Sequence, residues 1–124
     1  MSRLAPGAVY QVPDSGGGHY YAVVSRASVP EFVMLNFTTP KRLTEMTCVV
    51  TPAECPFLRH DSAVEYGRAK IVPTAAFLEA EAKAVVAYVG EVPAETLSRI
   101  LDGAAASRFL PSNALALLSD QGLV

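Results

Sequence analysis

The residue pattern of this chain changes at Pro73, and that change limits the folds open to it. Before Pro73, short segments rich in aromatic and β-branched residues alternate with proline and glycine, which is typical of short strands and turns. After it, segments rich in alanine, glutamate and leucine begin with a proline, as first helical turns often do. This order predicts an α+β domain in which a small, barrel-like sheet carries short helices packed at one side.

Individual elements follow from the same pattern. The predicted strands are 8–12, 20–25, 32–38, 47–51, 63–66, 69–72 and 85–89, and the predicted helices are 73–82 and 93–101. In the second helix, Leu97, Ile100, Leu101 and Ala104 recur at helical spacing, so this face is expected to pack on the sheet, although Gly103 should weaken the helix. We expect one domain over 1–110, a tail over 111–124 that is helical or binds a partner, and a flexible loop over 13–18.

Composition narrows the classes of function. Hydrophobic residues make up 51% of the 124 residues and charged residues 18%, as in a globular protein. No apolar run reaches the roughly 20 residues of a membrane span, and the first residues do not resemble a signal peptide, so we expect a cytoplasmic protein with no membrane contact. Because the formal net charge is −2, nucleic-acid binding would require a local basic patch.

Four segments in this order resemble the MazF/PemK family of toxin endoribonucleases. They are 6–10 (PGAVY), 20–25 (YYAVVS), 32–39 (FVMLNFTT) and 86–105 (VAYVGEVPAETLSRILDGAA), so the resemblance covers most of residues 6 to 105. It implies an SH3-like β-barrel with helices and metal-independent cleavage of RNA without a cofactor. It also implies a homodimer whose antitoxin covers the RNA groove.

The resemblance places a histidine where the family usually has a catalytic arginine. His19 stands directly before the second strand, and Tyr20 follows it where the family usually has proline. Histidine can act as a general acid or base because its side chain ordinarily titrates near pH ~6.5. His19 is therefore either a replacement for the arginine or the sign that the activity is lost.

The third strand ends at the family's catalytic Ser/Thr position, which Thr38 and Thr39 occupy. Strand alternation places Asn36 on the same face as Thr38, so we expect Asn36 to contact the substrate. Lys41 and Arg42 follow closely and could supply the basic patch. The alternative for the threonines is an ordinary strand end, and for the two cations a solvated loop.

The remaining candidates lie between the fourth and fifth strands. Asp61 and Ser62 resemble a family Asp-Ser pair, which places His60 beside the predicted site, with Arg59 and Ser62 as substrate-binding residues. Should His19 and His60 face one cleft, they would form an acid/base pair; otherwise each is a half-exposed histidine at a strand end.

Two further alternatives stay open. Cys48, Cys55 and His60 could supply three zinc ligands, but they lack the closely spaced cysteine pair of structural zinc sites, so free thiols in or near the core and no metal are expected. The altered arginine position and the negative net charge also allow a non-catalytic barrel that binds a protein or a nucleic acid.

Overall fold

The computed structural model describes residues 2–14, 17–27 and 30–124. Its elements in chain order are β1 (Ala8–Asp14), β2 (Gly17–Val23), β3 (Glu31–Thr38), β4 (Val49–Val50), β5 (Ser62–Pro73), α1 (Thr74–Ala82), β6 (Ala87–Glu91), α2 (Ala94–Ala106) and α3 (Ser112–Asp120). The strands form one antiparallel sheet in the order β4-β5-β3-β2-β1-β6, and the sheet curls into a half-barrel. The predicted α+β class and the small barrel with helices are therefore confirmed.

Each face of the sheet has its own hydrophobic core because strand side chains alternate between faces. One core contains Val9, Leu35 and Phe37 and is covered by α2 and α3, which contribute Ile100, Ala104, Ala114 and Leu118. The other contains Tyr10, Phe32 and Met34 and is covered by Phe77 of α1. The helices thus do not all lie at one side, since α1 packs on the face opposite to α2 and α3.

The predicted face of α2 packs on the sheet. Ile100 and Ala104 are fully buried, and Leu97 and Leu101 contact the same core from its margin. The free energy of burying these side chains stabilises the contact between α2 and the sheet.

Gly103 has a different role from the one expected of it. A Cβ atom at this position would lie 2.9 Å from Cζ of Tyr66 and would overlap the Tyr66 hydroxyl oxygen. That hydroxyl donates a hydrogen bond of 2.7 Å to the backbone carbonyl of Ile100. The glycine therefore gives the tyrosine ring the space it needs against α2, and this contact offsets the low helix propensity of glycine.

Two predictions about glycine need correction. β5 is one strand from Ser62 to Pro73, but its pairing with β3 shifts register between Glu65 and Lys70, so Gly67 lies in a bulge rather than between two separate strands. Within the predicted loop 13–18, Pro13 pairs with Gly18 and Asp14 with Gly17, so β1 and β2 form a hairpin that extends to these residues. Residues 15 and 16 of that predicted loop lie outside the described residues.

Candidate functional site

A cavity of about 350 Å³ lies where β2 and β3 meet the segment that precedes β5. We call it the first cavity. It is lined by Gln11, Gly18, His19, Tyr20, Phe37, Thr38, Thr39, Lys41, Leu58, Arg59, His60 and Ser62. The structure therefore brings together both histidines, both threonines and three of the five predicted substrate-binding residues.

Strand register explains how the first of these residues meet. Tyr21 pairs with Asn36 in the antiparallel ladder of β2 and β3. Continuing this register by two residues places His19 opposite Thr38, and alternation gives both the same face of the sheet. Gln11, Tyr20 and Phe37 alternate to the other face, so residues from both faces line the first cavity where β2 and β3 meet its edge.

His60 is held by two hydrogen bonds that define the tautomer of its neutral ring. Its Nδ1 lies 3.0 Å from the backbone carbonyl oxygen of Asp61, and its Nε2 lies 3.2 Å from Oγ1 of Thr39. A carbonyl oxygen can only accept a hydrogen bond, so Nδ1 carries the proton. In the neutral ring, Nε2 then accepts the hydrogen bond from the hydroxyl of Thr39, which itself lines the first cavity.

Ser62 holds the backbone of His60 in place. Its side chain is buried, and its hydroxyl donates a hydrogen bond of 3.3 Å to the backbone carbonyl of His60. Ser62 lines the first cavity as predicted, but this contact fixes the backbone that carries the imidazole.

Lys41 and Arg59 are exposed side chains at the first cavity, whereas Asn36 and Arg42 lie elsewhere. Asn36 is 2% exposed, and its amide nitrogen donates a hydrogen bond of 2.8 Å to Oε1 of Glu65. Alternation does give Asn36 the same face as Thr38, but Asn36 pairs with Glu65 of β5, which accepts its amide hydrogen bond, whereas Thr38 pairs with Ala63. The predicted contact of Asn36 with substrate does not fit this burial.

Arg42 lines a second cavity of about 460 Å³, which we call the second cavity. It is lined by Arg42, Leu43, Thr44, Glu45, Glu65, Gly67, Arg68 and Phe109. The Arg68 guanidinium lies 3.7 Å from a carboxylate oxygen of Glu65, so this basic side chain is paired locally. Lys41 and Arg42, although adjacent in sequence, therefore line different cavities.

The segment that carries Arg59 and His60 is fastened to α2. Glu54 accepts hydrogen bonds from the backbone N–H of Thr51 at 2.9 Å and from the hydroxyl of Thr96 at 3.2 Å, and it forms an ion pair with Arg99. Burial raises the pKa of Glu54, but the hydrogen bonds from Thr51 and Arg99 outweigh this effect and bring the pKa below its ordinary value. Glu54 is therefore ionised at neutral pH.

Both cysteines are free thiols, as predicted, and both are buried in the core. Burial raises the pKa of Cys55 to about 11, so its thiol is protonated at neutral pH. His60 is exposed, unlike the two thiols that the zinc alternative would place beside it. Among the described residues, no group of three or more His, Cys, Asp or Glu side chains is arranged to hold a metal ion.

Sequence reasoning missed the apolar part of the first cavity and Gln11. Tyr20 packs edge-on against Phe57 with 5.5 Å between the ring centroids, and Phe37 lies 6.4 Å from the same ring. Gln11 belongs to β1, and it reaches the first cavity because it pairs with Tyr20 across the hairpin. The hairpin register was the missing information, since no local motif marks Gln11.

In the part of the chain that the structure describes, no helix is long and apolar enough to cross a membrane. No protein-family model matches the chain, and no curated protein matches it in sequence. Among solved structures, the chain is similar to an endoribonuclease in complex with its cognate antitoxin from a mycobacterial species. The TM-score is 0.59 at 22% sequence identity, over 92% of this chain and 96% of the other. The chain thus shares the fold of that endoribonuclease, and the fold implied by the MazF/PemK resemblance is confirmed.

Proposed function

We propose that this protein is the toxin of a toxin–antitoxin pair and cleaves single-stranded RNA without a metal ion. The observation that carries the proposal is the first cavity, in which His19, His60, Thr39, Lys41 and Arg59 meet. Cleavage of RNA at its own 2′-hydroxyl needs a base, an acid and groups that stabilise the phosphate, and these residue types can supply all three. The shared fold with an endoribonuclease supports the same function.

In this proposal His60 is the general base. Because Asp61 fixes the proton on Nδ1, Nε2 is free to take the proton of the ribose 2′-hydroxyl once the Thr39 hydroxyl turns away. The 2′-oxygen then attacks phosphorus, and the bond from phosphorus to the 5′-oxygen breaks. The bond from Nδ1 to the carbonyl of Asp61 serves the neutral and the protonated ring equally, so it holds the imidazole through the step.

His19 would supply the proton that the leaving 5′-oxygen needs. The products are a 2′,3′-cyclic phosphate and a free 5′-hydroxyl, and the proton taken by His60 balances the one given by His19. Arginine remains protonated in proteins and can only stabilise charge, whereas an imidazolium can also donate its proton. His19 in this role would replace the arginine of the family and add acid catalysis.

The remaining polar residues would hold the phosphate. Lys41 and Arg59 are exposed cations at the first cavity, and the hydroxyls of Thr38 and Thr39 can donate hydrogen bonds to phosphate oxygens. Charge that develops on these oxygens in the transition state would be stabilised by groups already in place.

The proposal includes the partners that the resemblance implies. The structural neighbour was solved with its cognate antitoxin, and we propose that an antitoxin likewise covers the first cavity of this chain. We also propose a homodimer that acts on RNA in the cytoplasm. Co-expression with the protein encoded by an adjacent small gene would test the antitoxin: we expect it to relieve growth arrest.

Cleavage of a fluorescent single-stranded RNA by the purified protein tests the activity. We expect wild-type protein to cleave in the presence of EDTA, and His60→Ala and His19→Ala each to lower the rate by about 100-fold or more. Lys83→Ala is the surface control, since its ammonium group contacts Glu79 on α1 rather than the first cavity, and it should cleave like wild type.

Three outcomes would contradict the proposal in different ways. Unaltered cleavage by both histidine variants would remove them from the chemistry while leaving the nuclease in place. Loss of cleavage in EDTA that added Mg²⁺ restores would contradict the metal-independent mechanism. Absence of cleavage and of growth arrest with wild-type protein would favour the non-catalytic binding module. The net charge of −2 and the altered arginine position are the observations that favour this alternative.

A further inference from the structure

The first cavity has a wall that the proposed chemistry does not use. Lys41, Arg59 and the histidines can serve the phosphate and the ribose, but Gln11, Tyr20, Phe37 and Leu58 have no part in proton transfer. Gln11, Tyr20 and Phe37 belong to the sheet face opposite to that of His19 and Thr38, as strand alternation requires. The first cavity therefore combines a charged wall with an uncharged one that is largely aromatic and apolar.

The amide of Gln11 is placed across the β1–β2 hairpin. A Cβ atom at Gly18 would lie 2.9 Å from Nε2 of Gln11 and 3.4 Å from its Cγ, so the glutamine side chain lies over the glycine. Any larger residue at 18 would push the amide aside. Gln11 is nevertheless exposed to solvent, and its amide is therefore available to a bound molecule.

The surroundings of Gln11 are suited to a flat ring. Tyr20 is half-buried and Phe37 is buried, and both contact Phe57. Unpaired RNA bases are usually bound on aromatic and apolar side chains and read by hydrogen bonds to their edges. The cavity volume of about 350 Å³ is within the range of pockets that hold small ligands.

We infer that Gln11 reads the edge of one nucleobase, which rests on Tyr20, next to the phosphate at which the RNA is cut. A carboxamide offers one acceptor and donors side by side, and adenine presents the complementary donor and acceptor at N6 and N7. Gln11 therefore selects adenine at this position. The inference rests on the proposed function for the phosphate wall, while Gln11 itself acts as a specificity residue.

The test is cleavage of a single-stranded RNA library randomised around one position, read by sequencing the cut ends. Wild-type protein should prefer adenine at one position beside the cut, and Gln11→Ala should reduce the preference over uracil by about tenfold. Gln11→Glu, whose carboxylate only accepts hydrogen bonds, should shift the preference toward cytosine or guanine. A change in packing alone would not produce such a shift.

The matched control is Gln121→Glu, which changes the only other glutamine in the chain. Neither Gln121 nor its partner Arg26 lines the first cavity. The carboxylate keeps the hydrogen bond of 2.8 Å from the backbone N–H of Arg26 and loses only the longer one, 3.4 Å, that the amide donates to the Arg26 carbonyl. We expect this variant to keep the wild-type preference.

Binding separates this inference from the proposed function. We expect adenosine 5′-monophosphate to bind wild-type protein about tenfold more tightly than uridine 5′-monophosphate, measured by NMR titration, and Gln11→Ala to remove the difference. Selective binding without RNA cleavage would contradict the proposed function alone. Cleavage with a base preference that neither Gln11 variant changes would overturn the inference alone, and equal binding of the two nucleotides by wild-type protein would also overturn it.

Discussion

The loop that follows β3 lines both cavities, but the charged side chains that line them differ. In the second cavity, Arg42 and Arg68 share the lining with the carboxylates of Glu45 and Glu65, so positive and negative groups are balanced. In the first cavity, Lys41 and Arg59 lie beside two histidines, and no carboxylate lines it among the residues whose side chains the structure describes.

This difference matters for a chain with a net charge of −2. Attraction of a polyanion depends on the local field at the site, and paired charges contribute little to that field. Lys41 and Arg42 carry the same charge at adjacent positions, so their different surroundings provide a direct comparison.

Among the changes that test this comparison, reversing the charge of Lys41 should have the largest effect. Lys41→Glu should reduce RNA cleavage at low substrate concentration by about tenfold or more, because the new carboxylate lies beside the phosphate. Arg42→Glu, which makes the same change in net charge one residue away, should stay within about twofold of wild type. Initial rates at two salt concentrations measure both effects, and the deficit of Lys41→Glu should shrink at high salt.

Equal losses of RNA cleavage in Lys41→Glu and Arg42→Glu would contradict the difference between the two cavities. Such a result would mean that RNA responds to the charge of the whole loop, and that the second cavity takes part in binding.

A smaller effect is expected at the support of the first cavity. Because its pKa in the folded state lies below its ordinary value, Glu54 stabilises the fold above the pKa it has when unfolded, near ~4.3. This contribution declines as the pH falls below that value and is lost as the pH falls through the lower pKa of the folded state. Glu54→Gln should therefore lower the free energy of unfolding by about 1 kcal/mol at pH 7, a figure reduced for partial exposure, and by less at pH 3.

Urea unfolding at the two pH values measures this effect. Glu79→Gln is the control, because Glu79 and Lys83 form an ion pair in which both side chains are about two-thirds exposed. Its effect should stay below about 0.5 kcal/mol at either pH. A Glu54→Gln variant with the same loss at pH 3 as at pH 7 would show that packing, rather than charge, holds this segment.

The smallest effect is expected at the second cavity. Phe109 is 64% exposed and lies against Gly67 of β5. Phe109→Ala should lower the free energy of unfolding by less than about 1 kcal/mol, since little of the ring is removed from water, and should leave RNA cleavage within about twofold. A tenfold loss of cleavage in a stably folded Phe109→Ala protein would give the second cavity a functional part.

Much of the fold could be predicted because it depends on local patterns. The apolar spacing of Ile100 and Ala104 defined the buried face of α2, and the segment order indicated the barrel. His19, Thr38 and His60 were placed near one another through a family resemblance, and the structure shows them lining one cavity. Their catalytic roles remain predictions.

The features that were missed depend on which residues meet across strands. Asn36 and Thr38 share a face and both pair with β5, but Asn36 lies opposite Glu65 and is buried, whereas Thr38 lies opposite Ala63 at the first cavity. Gln11 reaches the first cavity through its pairing with Tyr20, which leaves no mark in either segment. Gly67 does mark an irregularity, but only the pairing of β3 with β5 shows that it is a bulge within one strand that continues to Pro73.

The contact of Tyr66 with Gly103 also has a consequence for how the protein folds. A helix with an apolar stripe can often dock on a sheet in positions that differ by one turn. Here a shift of α2 along its axis would bring a side chain onto the Tyr66 ring and would remove the hydroxyl from the Ile100 carbonyl, leaving a buried donor unpaired. One glycine and one hydroxyl thus penalise every other position of α2 on the sheet and favour a single docked arrangement.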